Sequence, residues 1–158
     1  MPEPKRNKER KTVTLLPAVC AAIESRVLPG SSFSERVETD LARYDRLILE
    51  GMALLRNAMS ANEVLYILQR LFAVRISNRE LRLWVHHGLQ SRIYDPSAED
   101  VFDDEFQIDR QILCKKIEGL SVWERLVLIE YIEQVSTLPS NEDKIKAVCE
   151  KFGGSDAI

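Results

Sequence analysis

The chain has 158 residues, 45% of them apolar and 30% charged, with 22 Lys+Arg against 25 Asp+Glu. That composition excludes wholesale disorder and allows one domain or two small ones, and no run approaches the roughly 18 apolar residues of a membrane helix. The net charge of −3 hides an uneven distribution: 9 basic and 8 acidic side chains in residues 1–50, 6 and 2 in 51–94, 7 and 15 in 95–158. A positive first part followed by an acidic remainder hints at a nucleic-acid-facing half.

Residues 1–9 are polar and basic and are expected to form a flexible arm carrying Lys5, Arg6 and Lys8. Lys11 to Leu16 reads Lys-Thr-Val-Thr-Leu-Leu. It is β-branched and alternating, with Val13 and Leu15 on one face and Thr12 and Thr14 on the other, which predicts a strand. Pro17 ends it and suits the first turn of a helix. Val19, Ile23 and Val27 then recur at helical spacing as an amphipathic stripe. Leu28-Pro29-Gly30-Ser31 predicts a turn. Ser32 starts a second helix with Glu35 three residues on, a capping box, and Val37, Leu41, Tyr44 and Ile48 are its expected buried face.

The same start signal recurs as Ser60 with Glu63, Ser77 with Glu80, and Ser121 with Glu124, and in weaker form as Ser140 with Asp143. Helices are therefore expected near residues 61–73, 78–88, 121–136 and 141–152. Asp95-Pro96-Ser97 predicts a turn and a helix start, leading through an acidic segment to a helix near 104–118. Gly88, Gly119 and Gly153 stand where helices should stop. No second strand is convincing.

A lone six-residue strand cannot satisfy its own backbone groups and needs a partner. A second copy of the chain is the simplest one. Two strands would pair antiparallel across a two-fold axis, Val13 and Leu15 would enter the core, and Arg10, Thr12 and Thr14 would lie on the open face. A two-stranded ribbon fits the major groove of B-DNA.

These residues resemble a family. Lys-Thr-Val-Thr-Leu-Leu-Pro at 11–17, the stripe Val19/Ile23/Val27, the Pro-Gly turn, and Ser-Phe-Ser-Glu-Arg-Val at 32–37 followed by Leu41 and Tyr44 look like the ribbon-helix-helix fold of Arc- and MetJ-type repressors. The resemblance covers residues 10–48. It implies an intertwined homodimer that binds double-stranded DNA. Arg10, Lys11, Thr12 and Thr14 would lie at the groove, and Ser32, Phe33 and Ser34 would present a helix N-terminus to a phosphate. Val13, Leu15, Val19, Ile23, Val37, Leu41 and Tyr44 would form the dimer core. The sequence departs from the pattern in its threonine ribbon face and in Arg36 and Asp40, which stand at positions usually apolar or small and are spaced to pair with each other.

The expected architecture is thus mainly α. A basic arm (1–9) precedes a ribbon-helix-helix module (10–50), and an all-α C-terminal domain (51–158) follows. Residues 60–94, ending Asn-Arg-Glu-Leu-Arg-Leu-Trp-Val-His-His-Gly-Leu-Gln-Ser-Arg-Ile-Tyr, are similar to the helix-turn-helix of MerR-type regulators. A packed helical pair with Leu81 and Trp84 inside is the competing reading. Residues 108–135 resemble the C-terminal part of small bacterial proteins that begin with a ribbon-helix-helix, which implies no known activity.

Catalytic patterns are sparse. His86 and His87 are the two histidines, and as helix neighbours they point about 100° apart rather than forming a metal-binding i, i+4 pair. Cys20, Cys114 and Cys149 are widely spaced without a CxxC, which fits a reducing cytoplasm. The acidic run Glu99, Asp100, Asp103, Asp104, Glu105 lacks the glycine and spacing of a calcium loop and reads as a solvated face. No phosphate-binding glycine loop is present, and the charged start is not followed by an apolar secretory segment. The expectation is a cytoplasmic, non-enzymatic, sequence-specific DNA-binding dimer without cofactor, used as a transcriptional repressor. Two alternatives remain: a plasmid accessory or antitoxin-type factor whose C-terminal helices hold a protein partner, and an interaction dimer that does not read DNA.

Overall fold

The computed structural model describes residues 12–73 and 93–153. Among them are six helices and one two-stranded sheet. The helices are α1 (Pro17–Glu24), α2 (Phe33–Ala58), α3 (Ala61–Ala73), α4 (Arg110–Gly119), α5 (Val122–Ser136) and α6 (Asn141–Phe152). The chain divides into two compact units, Met1–Asp45 and Arg46–Ile158, and the division falls inside α2, ahead of the expected boundary at residues 50–51.

In the first unit, Thr12 to Leu16 is not a strand in the single chain. The backbone at Leu16 is extended (φ −64°, ψ 143°), but no second strand accompanies it among the described residues. Alternation sets local conformation and does not by itself create pairing, because a ladder needs hydrogen-bond partners on a neighbouring strand. Pro17 opens α1, where its missing N–H costs nothing. The helix stops at Glu24, so Val27 lies beyond the stripe it was expected to complete. Ser31 N–H closes the turn on Leu28 O at 3.0 Å, and Gly30 takes φ +83° at its third position. That is the type II geometry that Pro-Gly favours, and a side chain at Gly30 would be strained. Among the described residues of this unit only Ile23 is buried. Of the expected buried face of α2, Val37 and Ile48 are half-buried, whereas Leu41 and Tyr44 are 64% and 47% exposed.

The second unit has a continuous core. Leu55, Val64, Ile67, Leu113, Ile117, Leu128, Ile132 and Val148 are fully shielded from solvent. Helix α3 packs against α5 and α6, and α5 packs against α6. Each helix start is fixed by its own cap. Ser60 and Glu63 exchange side-chain-to-backbone bonds at 2.8 and 3.3 Å, and Ser121 and Glu124 do so at 2.7 and 3.1 Å. Ser140 Oγ accepts from Asp143 N–H at 3.0 Å. Each satisfies first-turn N–H groups that otherwise have no partner.

The all-α expectation for this region is corrected by a hairpin. Strands β1 (Phe102–Asp103) and β2 (Ile108–Asp109) pair antiparallel, with Phe102 opposite Asp109 and Asp103 opposite Ile108. The helix expected from 104 therefore begins only at Arg110. Asp103 Oδ1 accepts Phe106 N–H at 2.9 Å and Gln107 sits at φ +53°, both incompatible with a helix there. Asp109 supplies the true cap, accepting Ile112 N–H at 2.9 Å. Asp95-Pro96-Ser97 is a turn, closed by Asp95 Oδ1 on Ser97 N–H, and starts no helix.

A buried polar clasp ties this hairpin region to α3. Tyr66 Oη donates to Ile93 O at 2.9 Å and accepts from Arg110 Nε at 3.0 Å. The guanidiniums of Arg70 and Arg110 lie over its ring, 5.8 and 5.7 Å from the centroid. Arg70 pairs with Glu99, and Arg110 Nη2 donates to Asp103 Oδ2 at 2.6 Å. Nearby, Lys116 Nζ donates to the buried Glu63 at 2.7 Å. The predicted helix 78–88, with Ser77, Glu80, Leu81, Trp84, His86, His87 and Gly88, lies outside the described residues, as does most of the helix-turn-helix-like segment.

Candidate nucleic-acid interface

The candidate ribbon residues lie at the start of the described chain. Thr12 and Thr14 are exposed, Leu15 is half-buried, and Val13 is 72% exposed. The inward and outward sets of the predicted strand are therefore not separated in the single chain: both reach solvent. Arg10, Lys11 and the arm residues Lys5, Arg6 and Lys8 lie outside the described residues.

The α2 N-terminus, the candidate phosphate site, is built as its sequence predicts. Ser32 Oγ accepts from Glu35 N–H at 3.2 Å, and Ser32 N–H donates to Glu35 Oε2 at 2.7 Å. Ser31 Oγ adds a bond to the same carboxylate oxygen at 3.0 Å. Ser34 is exposed and Phe33 half-buried. The helix dipole favours an anion here, and the chain's own Glu35 carboxylate already supplies one. An incoming phosphate would meet that charge, leaving Phe33 and Ser34 N–H as the donors outside the Glu35 bond.

Arg36 and Asp40 do pair, as their spacing predicts. Arg36 Nε donates to Asp40 Oδ1 at 3.0 Å, and its Nη2 contacts the same oxygen. Sequence reasoning missed the third member: Arg26 Nη2 reaches Asp40 Oδ2 at 3.0 Å. Arg26 also donates through Nε to Ala22 O at 3.1 Å, so the triad joins the residues after α1 to α2. No local spacing announces an ion pair across a turn. The bond from Arg36 holds the Asp40 carboxyl below its ordinary range, and the charges of Arg26, Arg36 and Arg43 act in the same direction. The Asp40 bond raises Arg36 correspondingly. Arg36 is thereby committed within the fold rather than offered to a backbone phosphate.

The acidic run divides: two of its five members are in structural contacts and three are solvated. Glu99 pairs with Arg70, Asp103 with Arg110 and the hairpin turn, and Asp109 caps α4, while Asp100, Asp104 and Glu105 are exposed. Among the described residues no group of three or more His, Cys, Asp or Glu is placed to hold a metal ion. All three cysteines are free thiols, and burial, with Glu118 nearby, raises the Cys114 thiol, which disfavours its thiolate. No described helix is long and apolar enough to cross a membrane.

No protein-family model matches this chain, and neither does any curated protein or solved structure.

Proposed function

We propose that the protein is a homodimer that binds double-stranded DNA sequence-specifically through an N-terminal two-stranded ribbon, and that it serves as a transcriptional repressor. One observation carries the reading. The described part of the first unit buries one side chain, Ile23, and leaves Val13, Leu16, Val19, Leu28, Leu41 and Tyr44 between 42% and 72% exposed. So much apolar surface on so short a segment marks an interaction face. The alternation of Val13 and Leu15 with Thr12 and Thr14, and the order of strand, Pro-started helix, Pro-Gly turn and capped helix, are those of a ribbon-helix-helix protomer awaiting its second copy. The Thr12/Thr14 face of the completed ribbon would enter the major groove.

The interaction-dimer reading draws on Glu35. Its carboxylate sits where the phosphate would approach, and threonines make modest base contacts. The antitoxin-type reading draws less support, since the described residues of the C-terminal unit bury a continuous core of their own. The deciding experiment is a gel shift with DNA from upstream of the protein's own gene, against scrambled DNA, alongside sedimentation of the free protein. A shifted cognate band with a dimer in solution is expected. A dimer that shifts neither DNA selects the interaction-dimer reading.

A further inference from the structure

The second unit has an open cavity of about 700 Å³ between α3, α6 and the turn of the hairpin, within the size range of small-molecule sites. Its α3 wall follows from helical spacing. Asn62, Leu65 and Gln69 recur at i, i+3 and i+7 and share one face. The neighbouring stripe of Glu63, Tyr66 and Arg70 is committed elsewhere, to Lys116, Ile93 O and Glu99. The rest of the lining is largely apolar: Leu68 is buried, Leu65 and Phe106 are half-buried, and Ile145 is 41% exposed. Phe106 is fixed in place, its ring edge-on to Tyr66 at 5.6 Å and its N–H bonded to Asp103 Oδ1 at 2.9 Å. This wall is therefore set before any ligand arrives.

The charges of the lining single out one group. Arg70, Arg110 and Lys116, the cations on the clasp side of α3, have Glu99, Asp103 and Glu63 as counter-ions. Among the described lining residues Lys144 is the one cation, and it is half-buried. It has no hydrogen-bond or ion-pair partner among the described residues. Its own helix offers no acid: the positions one turn away are Ser140 and Val148, Asp143 is turned to Ser140 Oγ at 2.7 Å, and Glu150 lies beside Lys146. Glu105, at the hairpin turn, is exposed, so water solvates its carboxylate. A half-buried ammonium without a counter-ion has lost hydration that nothing in the fold returns, and it is the lining group with most to gain from an anion.

We propose that this cavity binds a small amphipathic carboxylate, with its anionic head against Lys144 and an aromatic or branched apolar body on Leu65, Leu68, Phe106 and Ile145. The amides of Asn62, Gln69 and Asn141, each able to donate and to accept, line the same cavity. A monoanion with an apolar body answers both halves of the lining, and Glu105 disfavours a second negative charge. Every residue involved belongs to the second unit, so the site stands whether or not the N-terminal ribbon reads DNA.

The test is calorimetric titration of the full chain with three probes of one shape: naphthoate, its neutral amide naphthamide, and the cation naphthylmethylamine. Two variants accompany the wild type. Lys144→Met keeps the aliphatic stem and removes the charge, and Gln69→Trp, at an exposed position, fills the cavity from its side. Naphthoate is expected to bind with a dissociation constant of about 1 mM or below, the level that ordinary ligand efficiency sets for a body of this size. It should bind about tenfold or more tightly than naphthamide, as for one charge-assisted contact. Lys144→Met should bring naphthoate to the level of naphthamide, and Gln69→Trp should weaken both. Equal binding of naphthoate and naphthamide by the wild type overturns the proposal, as does tightest binding of the amine. A naphthoate preference that survives Lys144→Met, or binding untouched by Gln69→Trp, places the ligand elsewhere and overturns it too. So does the absence of any heat from naphthoate at about 10 mM, tenfold above the expected constant.

Discussion

The two units of this chain solve the folding problem differently. The second surrounds α3 with α4, α5 and α6, locks a hairpin onto Tyr66, and removes more than twenty side chains from water across its core. The first has a Pro-Gly turn, a Ser32–Glu35 capping box and an Arg26–Asp40–Arg36 triad, and one buried apolar side chain among its described residues. The triad is half-buried at Arg36 and Asp40 and exposed at Arg26, and an ion pair open to solvent at one end adds little stability. On the proposed reading a segment with so thin a core and so much exposed aliphatic surface gains its stability from a second copy, whereas the described residues of the second unit bury a continuous core of their own. Among the described residues the buried core thus belongs to the second unit, and the first unit is the one whose aliphatic side chains reach solvent.

The largest expected effect tests that assignment directly. Leu128→Ala removes a fully buried side chain from α5 and should cost about 2–5 kcal/mol, lowering the melting temperature equally at every protein concentration. Leu41→Asp, on a residue 64% exposed in the single chain, should leave that transition in place and abolish the rise of melting temperature with concentration that a dimer shows. Thermal melts at two concentrations a hundredfold apart separate them. Equal, concentration-independent losses for both would mean that the two units share one intramolecular core.

Gly51→Ala sharpens the picture of the second unit. A methyl at this position meets the buried, β-branched Val127, so helix propensity and packing oppose each other. Overpacking costs about 1–3 kcal/mol, against roughly 1 kcal/mol gained by removing glycine from a helix interior. A net decrease of stability in urea is expected, and a rise would show that α5 can retreat from α2.

The third prediction separates steering from reading within the first unit. Replacing Lys5, Arg6, Lys8 and Lys11 together should lower the slope of log affinity against log salt by about 0.9 for each phosphate that is no longer neutralised, on any DNA. Thr12→Ala with Thr14→Ala should leave that slope nearly unchanged and reduce the preference for cognate DNA, by at most about 1–3 kcal/mol. Binding isotherms on cognate and scrambled DNA at several salt concentrations measure both. Equal weakening of both DNAs by the threonine variant would remove the ribbon as the reading element.

The smallest effect is a titration. Tyr131 donates to Ala147 O at 3.1 Å and packs edge-on against Phe152 at 5.3 Å, and burial pushes its phenol up to about 12. The proton is held more tightly in the folded than in the unfolded chain, whose phenol ionises near pH 10. The contribution of Tyr131 to stability is therefore fully present below about pH 10 and lost as pH rises through about 12. Ultraviolet titration should show a late-ionising step, to which burial also consigns Tyr66, and Tyr131→Phe should reduce that step by one phenol. A variant that loses its amplitude from the ordinary step near pH 10 and keeps the late step whole would place the phenol in solvent.

The local code of this chain is legible because its decisive interactions span three or four residues. Ser32/Glu35, Ser60/Glu63, Ser121/Glu124 and Ser140/Asp143 each mark a helix start that the structure builds with those same atoms. Pro17 and Pro29-Gly30 fix a helix entry and a turn for equally local reasons. The pairing of Arg36 with Asp40 follows from one helical turn. Sequence reading fails where the deciding partner lies far along the chain or on another chain. The hairpin at 102–109 reads partly as helix in sequence because its strands are short and acidic, and Arg110, Tyr66 and the turn geometry of Asp103 and Gln107 settle its form. Arg26 joins Asp40 across a turn that no spacing rule describes. Thr12 to Leu16 marks the boundary between the two kinds of information. Alternation sets which side chains would share a face, but a ladder exists only when a second strand supplies the donors and acceptors, and the described residues of one copy hold none paired with it.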